Sequence, residues 1–147
     1  MNKNIYEKLN KYLADIAVMY IKLHNLHWNI YGTQFKGVHE YLEELYDAFT
    51  ENMDAVAELI RMHEKYPAAS LAQYQKLSDV KELASEKFEI KQALGIVLED
   101  LKALDKEAKE VRSTADEEDV FDVVAMMEEH SAYYQKAIWF ISSTLAK

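Results

Sequence analysis

No cysteine occurs in this chain, which excludes disulfides, thiolate nucleophiles and thiolate ligands, so any bound metal has to be held by nitrogen and oxygen. Glycine occurs three times and proline once in 147 residues, too few turn-formers for a fold of many short strands. Positive charge is also scarce. Seventeen basic residues stand against 26 acidic ones, a formal charge of −9, and neither end carries a Lys/Arg block. A uniformly acidic surface repels DNA phosphates and suits a protein that attracts cations, although solubility alone accounts for the acidity equally well. Long apolar runs are missing too. None approaches the ~18 residues of a membrane span. The opening MNKNIYEKLN lacks a positive-then-apolar leader, so a cytoplasmic location without membrane contact is expected.

What is present is helix. Half the residues are hydrophobic, and the length suits one domain, 1–147, with a real core. Ile5, Leu9, Leu13, Ile16, Met19, Leu23, Leu26 and Ile30 recur every three or four positions, with Asn4 and Glu7 at capping-box spacing. Gly32 interrupts that stripe as a C′ glycine, and Phe35, Val38, Leu42, Leu45, Phe49, Val56 and Ile60 continue it from about Gln34 to His63. Pro67 stops this second helix, and a short helix over Ser70 to Leu77 is expected in the link that follows. Ser85 is the expected cap of a third helix bearing Phe88, Ala93, Ile96, Leu98, Leu101 and Leu104 and fading near Arg112. The acidic stretch Asp116 to Asp119 suits the N-terminus of a fourth, which runs to about Leu145. A short first link and a long second one predict an all-α, ferritin-like four-helix bundle whose crossover carries a short extra helix.

Five polar groups stand out: His27, His39, Glu43, Asp54 and Glu58. Imidazole with carboxylate suits a borderline transition metal, iron or zinc, better than calcium or magnesium. His27 lies six residues before the turn near Thr33 and His39 six after it, so an antiparallel hairpin brings both to one level. Glu43 follows His39 by four and Glu58 follows Asp54 by four, so each pair shares a helix face. Asp54, however, is fifteen residues beyond His39, ~22 Å along a helix. Metal–ligand bonds are only ~2 Å long, so one chain cannot close that gap. Two chains about a two-fold axis can, each lending its histidine end to the other's Asp54/Glu58 end, if all five groups belong to one site. No histidine has a glutamate three positions before it, so the ordinary in-bundle di-iron motif is absent.

Leu23-His24-Asn25-Leu26-His27-Trp28-Asn29, followed by Gly32, Phe35, Val38-His39-Glu40, Glu43, Tyr46, Asp54 and Ala57-Glu58, closely resembles the Dps mini-ferritin family (DNA-binding protein from starved cells). Pro67, Leu71, Tyr74 and Ile138-Trp139 extend the likeness over nearly the whole chain. The resemblance implies a hollow, twelve-subunit homo-oligomer with ferroxidase centres between two-fold-related subunits. It also implies oxidation of Fe(II), with hydrogen peroxide preferred to dioxygen, and storage of a ferric mineral that protects against oxidative stress.

On that resemblance His27 and His39 come from one subunit and Asp54 and Glu58 from its partner. Glu43 matches an additional acidic position, and Trp28 sits beside the metal, able to take up a stray oxidising equivalent. Glu40, Glu43 and Glu44 match acidic positions lining the cavity, where ferric ions nucleate. Zinc is a substitute for iron that this ligand set does not reject. The chain also departs from the pattern. Leu59 stands where Arg is common, Glu64-Lys65-Tyr66 replaces a double glycine, and of the pore acids only Asp119 fits, with Asp122 shifted and Val124 in place of an acid. Lysine-rich tails have no counterpart, so DNA binding is not expected at neutral pH and physiological salt. A DNA-coating stress protein without a basic tail is the alternative. His24, His63 and His130 read as ordinary polar or satisfied core residues, and Trp139 as a core or interface aromatic.

Overall fold

A computed structural model describes residues 1–147. Its elements are α1 (Lys3–Asn29), β1 (Ile30–Tyr31), α2 (Phe35–Met62), α3 (Leu71–Leu77), β2 (Phe88–Glu89), α4 (Ile90–Glu117) and α5 (Phe121–Leu145). Four long helices and a short one in the crossover are the architecture the apolar periodicity predicts. Helix α1 packs on α2 and α4 on α5, while α1 also meets α4 to join the two hairpins. Every apolar residue of the first sequence stripe is buried, and Leu42, Phe49, Val97, Leu101, Met127 and Ile141 close on it from the other helices. No helix is long and apolar enough to cross a membrane.

Several boundaries differ from those expected. Asn2, not Asn4, caps α1: its Oδ1 accepts the Ile5 N–H at 2.9 Å, which leaves Asn4 inside the first turn. Glu89 caps α4 by accepting the Gln92 N–H at 3.0 Å, so Ser85 lies outside the helix. The reason is a parallel pairing of Ile30 with Phe88 and of Tyr31 with Glu89, which holds the chain extended until Ile90. Phe88 is buried as expected, but from a strand. The acidic stretch also lies elsewhere than at the start of the last helix. Helix α4 continues past Arg112, so Asp116 and Glu117 end it and only Asp122 stands in the first turn of α5. Arg112, 3.7 Å from Asp116, offsets the like-signed helix terminus there. Asp119 makes the turn itself, at φ 55°.

The β1–β2 pairing ties the start of α4 to the α1–α2 turn, so the crossover must travel the whole length of the bundle. Helix α1 holds it at four levels. Tyr6 Oη donates to the Tyr66 carbonyl (2.6 Å), and Asn10 Oδ1 accepts the Ala68 N–H (2.8 Å). Asp15 accepts from Ser78 Oγ (2.7 Å) and the Asp79 N–H (2.8 Å), and Asn25 Nδ2 donates to the Leu83 and Ala84 carbonyls. These bonds satisfy backbone groups that a strand-free loop would otherwise leave to water.

Candidate metal centre

The α1–α2 turn decides the geometry of the histidines. Gly32 takes φ +131°, a conformation side chains rarely adopt, and Gln34 follows at φ 70°. The hairpin that results sets His27 and His39 level, as their equal distance from the turn requires. Each ring reaches across to the other's backbone. His27 Nδ1 lies 2.6 Å from the His39 carbonyl oxygen and His39 Nδ1 lies 2.6 Å from the His27 carbonyl oxygen. A carbonyl can only accept, so both Nδ1 atoms carry the proton and donate it. In the neutral ring that selects the Nδ1–H tautomer, whose Nε2 lone pair is the one a metal takes.

The two rings stack at 3.6 Å with 12° between their planes. Phe35 stacks on the outer face of His39 at 5.1 Å, and Tyr46 meets His27 edge-on at 5.2 Å and 87°. Tyr46 in turn stacks on His24 at 3.8 Å, and His24 leans on Trp28 at 5.4 Å. The indole of Trp28 therefore packs on His24 within the protomer, and 66% of Trp28 is exposed. Glu43 brings its carboxylate to 3.9 Å from His27 Nε2. Three of the five singled-out groups thus meet at one end of α2.

Asp54 and Glu58 sit on the same continuous helix, so the fifteen-residue gap stands in full. No three His, Asp or Glu side chains of one chain converge on a possible metal position. Glu58 has its carboxyl pKa raised by hydrogen bonding to Asp54, then by the charge of that neighbour and by desolvation. Two carboxylates one turn apart repel each other, and a cation between them relieves that repulsion. Glu40 is exposed and pairs with Lys36 at 3.9 Å, and Glu44 is exposed beside Tyr41 and Tyr133, whose phenols burial and then nearby charge push upward.

The remaining histidines have structural partners. His130 is buried, its Nδ1 2.8 Å from Tyr12 Oη, and burial pushes its pKa down to about 4. His63 Nε2 lies 2.8 Å from Asp122, which joins the end of α2 to the start of α5. Sequence reasoning passed over His24, whose place under Tyr46 was signalled only by its three- and four-residue spacing from His27 and Trp28. Trp139 is 63% exposed on this protomer and so is no core residue of it.

The chain matches the ferritin-like domain family over residues 6–147. It is 38% identical over 141 residues to a DNA protection during starvation protein of Helicobacter pylori, covering 96% of this chain and 98% of that one. The crystal structure of antigen TpF1 from Treponema pallidum superposes with a TM-score of 0.96 at 36% identity, covering 98% of this chain and 92% of the other. A Dps protein from Bacillus brevis superposes with a TM-score of 0.93 at 31% identity, covering 99% and 100%. A family match over nearly the whole chain, relatives of full length and a shared fold agree: the chain belongs to the ferritin-like family, among the Dps proteins.

Proposed function

We propose that the protein is a ferroxidase and iron store whose catalytic centres lie between two-fold-related subunits of a hollow dodecamer. Each chain lends His27 and His39, with Glu43 beside them, to the Asp54/Glu58 end of its partner. Fe(II) is the substrate. Hydrogen peroxide, the preferred oxidant, takes one electron from each of two Fe(II) ions and two protons, and leaves as two waters, so no hydroxyl radical escapes. The Fe(III) produced hydrolyses to a mineral inside the shell, nucleated at Glu40, Glu43 and Glu44. Trp28, exposed at the rim of the centre, takes up a stray oxidising equivalent. DNA protection, which the relatives' names describe, is read here as removal of iron and peroxide rather than as coating, in keeping with the charge of −9.

The observation that carries this reading is the reciprocal His27–His39 bond pair. It commits both Nδ1 atoms to backbone and turns the two Nε2 atoms to one level, while Asp54 and Glu58 of the same chain lie out of reach. A protein with this nitrogen and oxygen set also accepts zinc, and a structure of a Dps from Listeria innocua, 28% identical, is of protein soaked with zinc. Zinc is therefore expected to inhibit by occupying the site.

Anaerobic Fe(II) loading followed by peroxide tests the activity. His27→Ala and Asp54→Ala should each abolish most of the ferric absorbance, and wild-type rates in both variants would overturn the assignment. Co-assembly tests the sharing. A pair built from one chain of each variant keeps one intact site of its two, so random mixing in equal amounts should restore about a quarter of wild-type activity. Sites contained within one chain would recover nothing.

A further inference from the structure

We propose that Tyr46 is a positioning residue of the metal centre, holding the His27 ring in place and sharing its helix face with Glu43. This rests on the ferroxidase reading above.

His27 is constrained on three sides. Its Nδ1 is tied to the His39 carbonyl, one face is covered by the His39 ring, and the perpendicular edge of Tyr46 bounds it at 5.2 Å. Without that edge, the remaining freedom of the imidazole is a tilt about its own hydrogen bond, and the tilt would swing Nε2 out of line with the Nε2 of His39. Glu43 precedes Tyr46 by three residues on α2, so both side chains occupy one face of the helix.

Tyr46 is itself braced. It stacks on His24 at 3.8 Å and 23°, and meets Tyr20 edge-on at 6.2 Å and 84°. His24 is fixed by an Nδ1 bond of 2.8 Å to the Tyr20 carbonyl, one turn back on α1. Tyr20, His24 and His27 follow one another at four and three residues along α1, so they share the face that meets Tyr46. Tyr46 is half-buried against the edge of the core, and two of the rings it meets, His24 and His27, are each tied to a backbone carbonyl.

The test uses Co(II), whose visible absorption reports ligand number and geometry, added anaerobically to the assembled protein. Tyr46→Leu should weaken Co(II) binding by about tenfold or more and alter the spectrum, as loss of an outer-shell support does. Tyr46→Phe, which keeps the ring edge, should restore most of the affinity and the histidine part of the spectrum. Wild-type affinity and spectrum in Tyr46→Leu overturn the proposal. If the leucine variant does not assemble, His24→Ala decides. Withdrawing the ring beneath Tyr46 should lower Co(II) affinity several-fold, and unchanged affinity overturns the proposal. Wild-type protein that takes up no Co(II) sinks the metal centre itself, whereas binding that survives Tyr46→Leu sinks only the positioning role.

Discussion

Replacing Glu107 with glutamine should remove a loss of stability that the wild-type protein suffers as pH rises through neutrality. Glu107 faces Asp15 and Lys11 of α1 and Asp79 of the crossover, with Lys8, Asp100, Lys106 and Glu110 around the same cleft. Lys11 Nζ stands 2.6 Å from Asp15, 2.9 Å from Asp79 and 3.2 Å from Glu107. Burial, then hydrogen bonding to Asp15 and the charge of Asp15, push Glu107 up from 4.5 to about 8, against the pull of Lys11. Burial also acts to raise Asp15, but bonds from Glu107, Lys11, Ser78 and the Asp79 amide outweigh it and hold Asp15 down. The pair therefore keeps one proton at neutral pH, on the Glu107 side.

The folded protein thus binds a proton that the unfolded chain has released, and Glu107 costs stability progressively as pH rises from 4.5 toward about 8, then no further. One pKa unit is worth about 1.4 kcal/mol, so the loss between roughly pH 6 and pH 9 is about 2–3 kcal/mol. The Glu107 side chain is only 16% exposed, so solvent screening removes little of this. Glutamine donates an amide N–H to Asp15 as the protonated acid does, and it never ionises. Urea or thermal unfolding of both proteins at the two pH values gives the difference. Hydrogen exchange at Ser78 to Val80 locates it, because Asp15 holds Ser78 and the Asp79 amide. Parallel stability–pH curves for wild type and Glu107→Gln would refute the reasoning.

Tyr12→Phe should lower stability by about 1–3 kcal/mol in thermal or urea unfolding, because it leaves buried partners unsatisfied. Tyr12 Oη lies 2.5 Å from Tyr134 Oη and 2.8 Å from His130 Nδ1, and no water reaches the fully buried Tyr12. Glu64→Gly should stabilise the protein by about 0.5–1 kcal/mol, since Glu64 sits in the left-handed region at φ 63° that glycine adopts without a Cβ penalty. An unchanged or lowered melting temperature in Glu64→Gly would show that its side chain compensates for the backbone.

Helix existence was legible because each long helix buries one regular stripe, and burial of that stripe is what makes the helix. Ends were less legible because they depend on single contacts from elsewhere. Ser85 carries a good capping side chain, yet pairing of Phe88 and Glu89 with Ile30 and Tyr31 keeps the backbone extended past it. Asp116 and Glu117 look like an N-terminal acidic turn by composition, and only the continued burial of Val111 and Ala115 explains why α4 runs on beneath them. The left-handed turn at Glu64, φ 63°, was not legible because the segment Glu64-Lys65-Tyr66 carries no glycine. In the site, counting residues from the turn was enough to level His27 with His39, because a hairpin of two straight helices leaves no other register. The exchange of Nδ1 bonds was not legible. It depends on ring rotation, which spacing does not encode.

That exchange bears on how such a centre comes into being. On the proposed arrangement the nitrogen half is complete before any metal or partner arrives, with tautomer and ring planes fixed inside one hairpin. The carboxylate half is not: the neighbouring Asp54 raises the Glu58 pKa, and a cation between them and the partner's imidazoles would relieve the repulsion. Metal binding at a shared centre then stabilises the subunit contact, since anything that binds only the paired state shifts the equilibrium toward it. With fifteen residues of helix between the two halves, the proposed centre takes its full ligand set only where two copies meet, which couples metal binding to that contact.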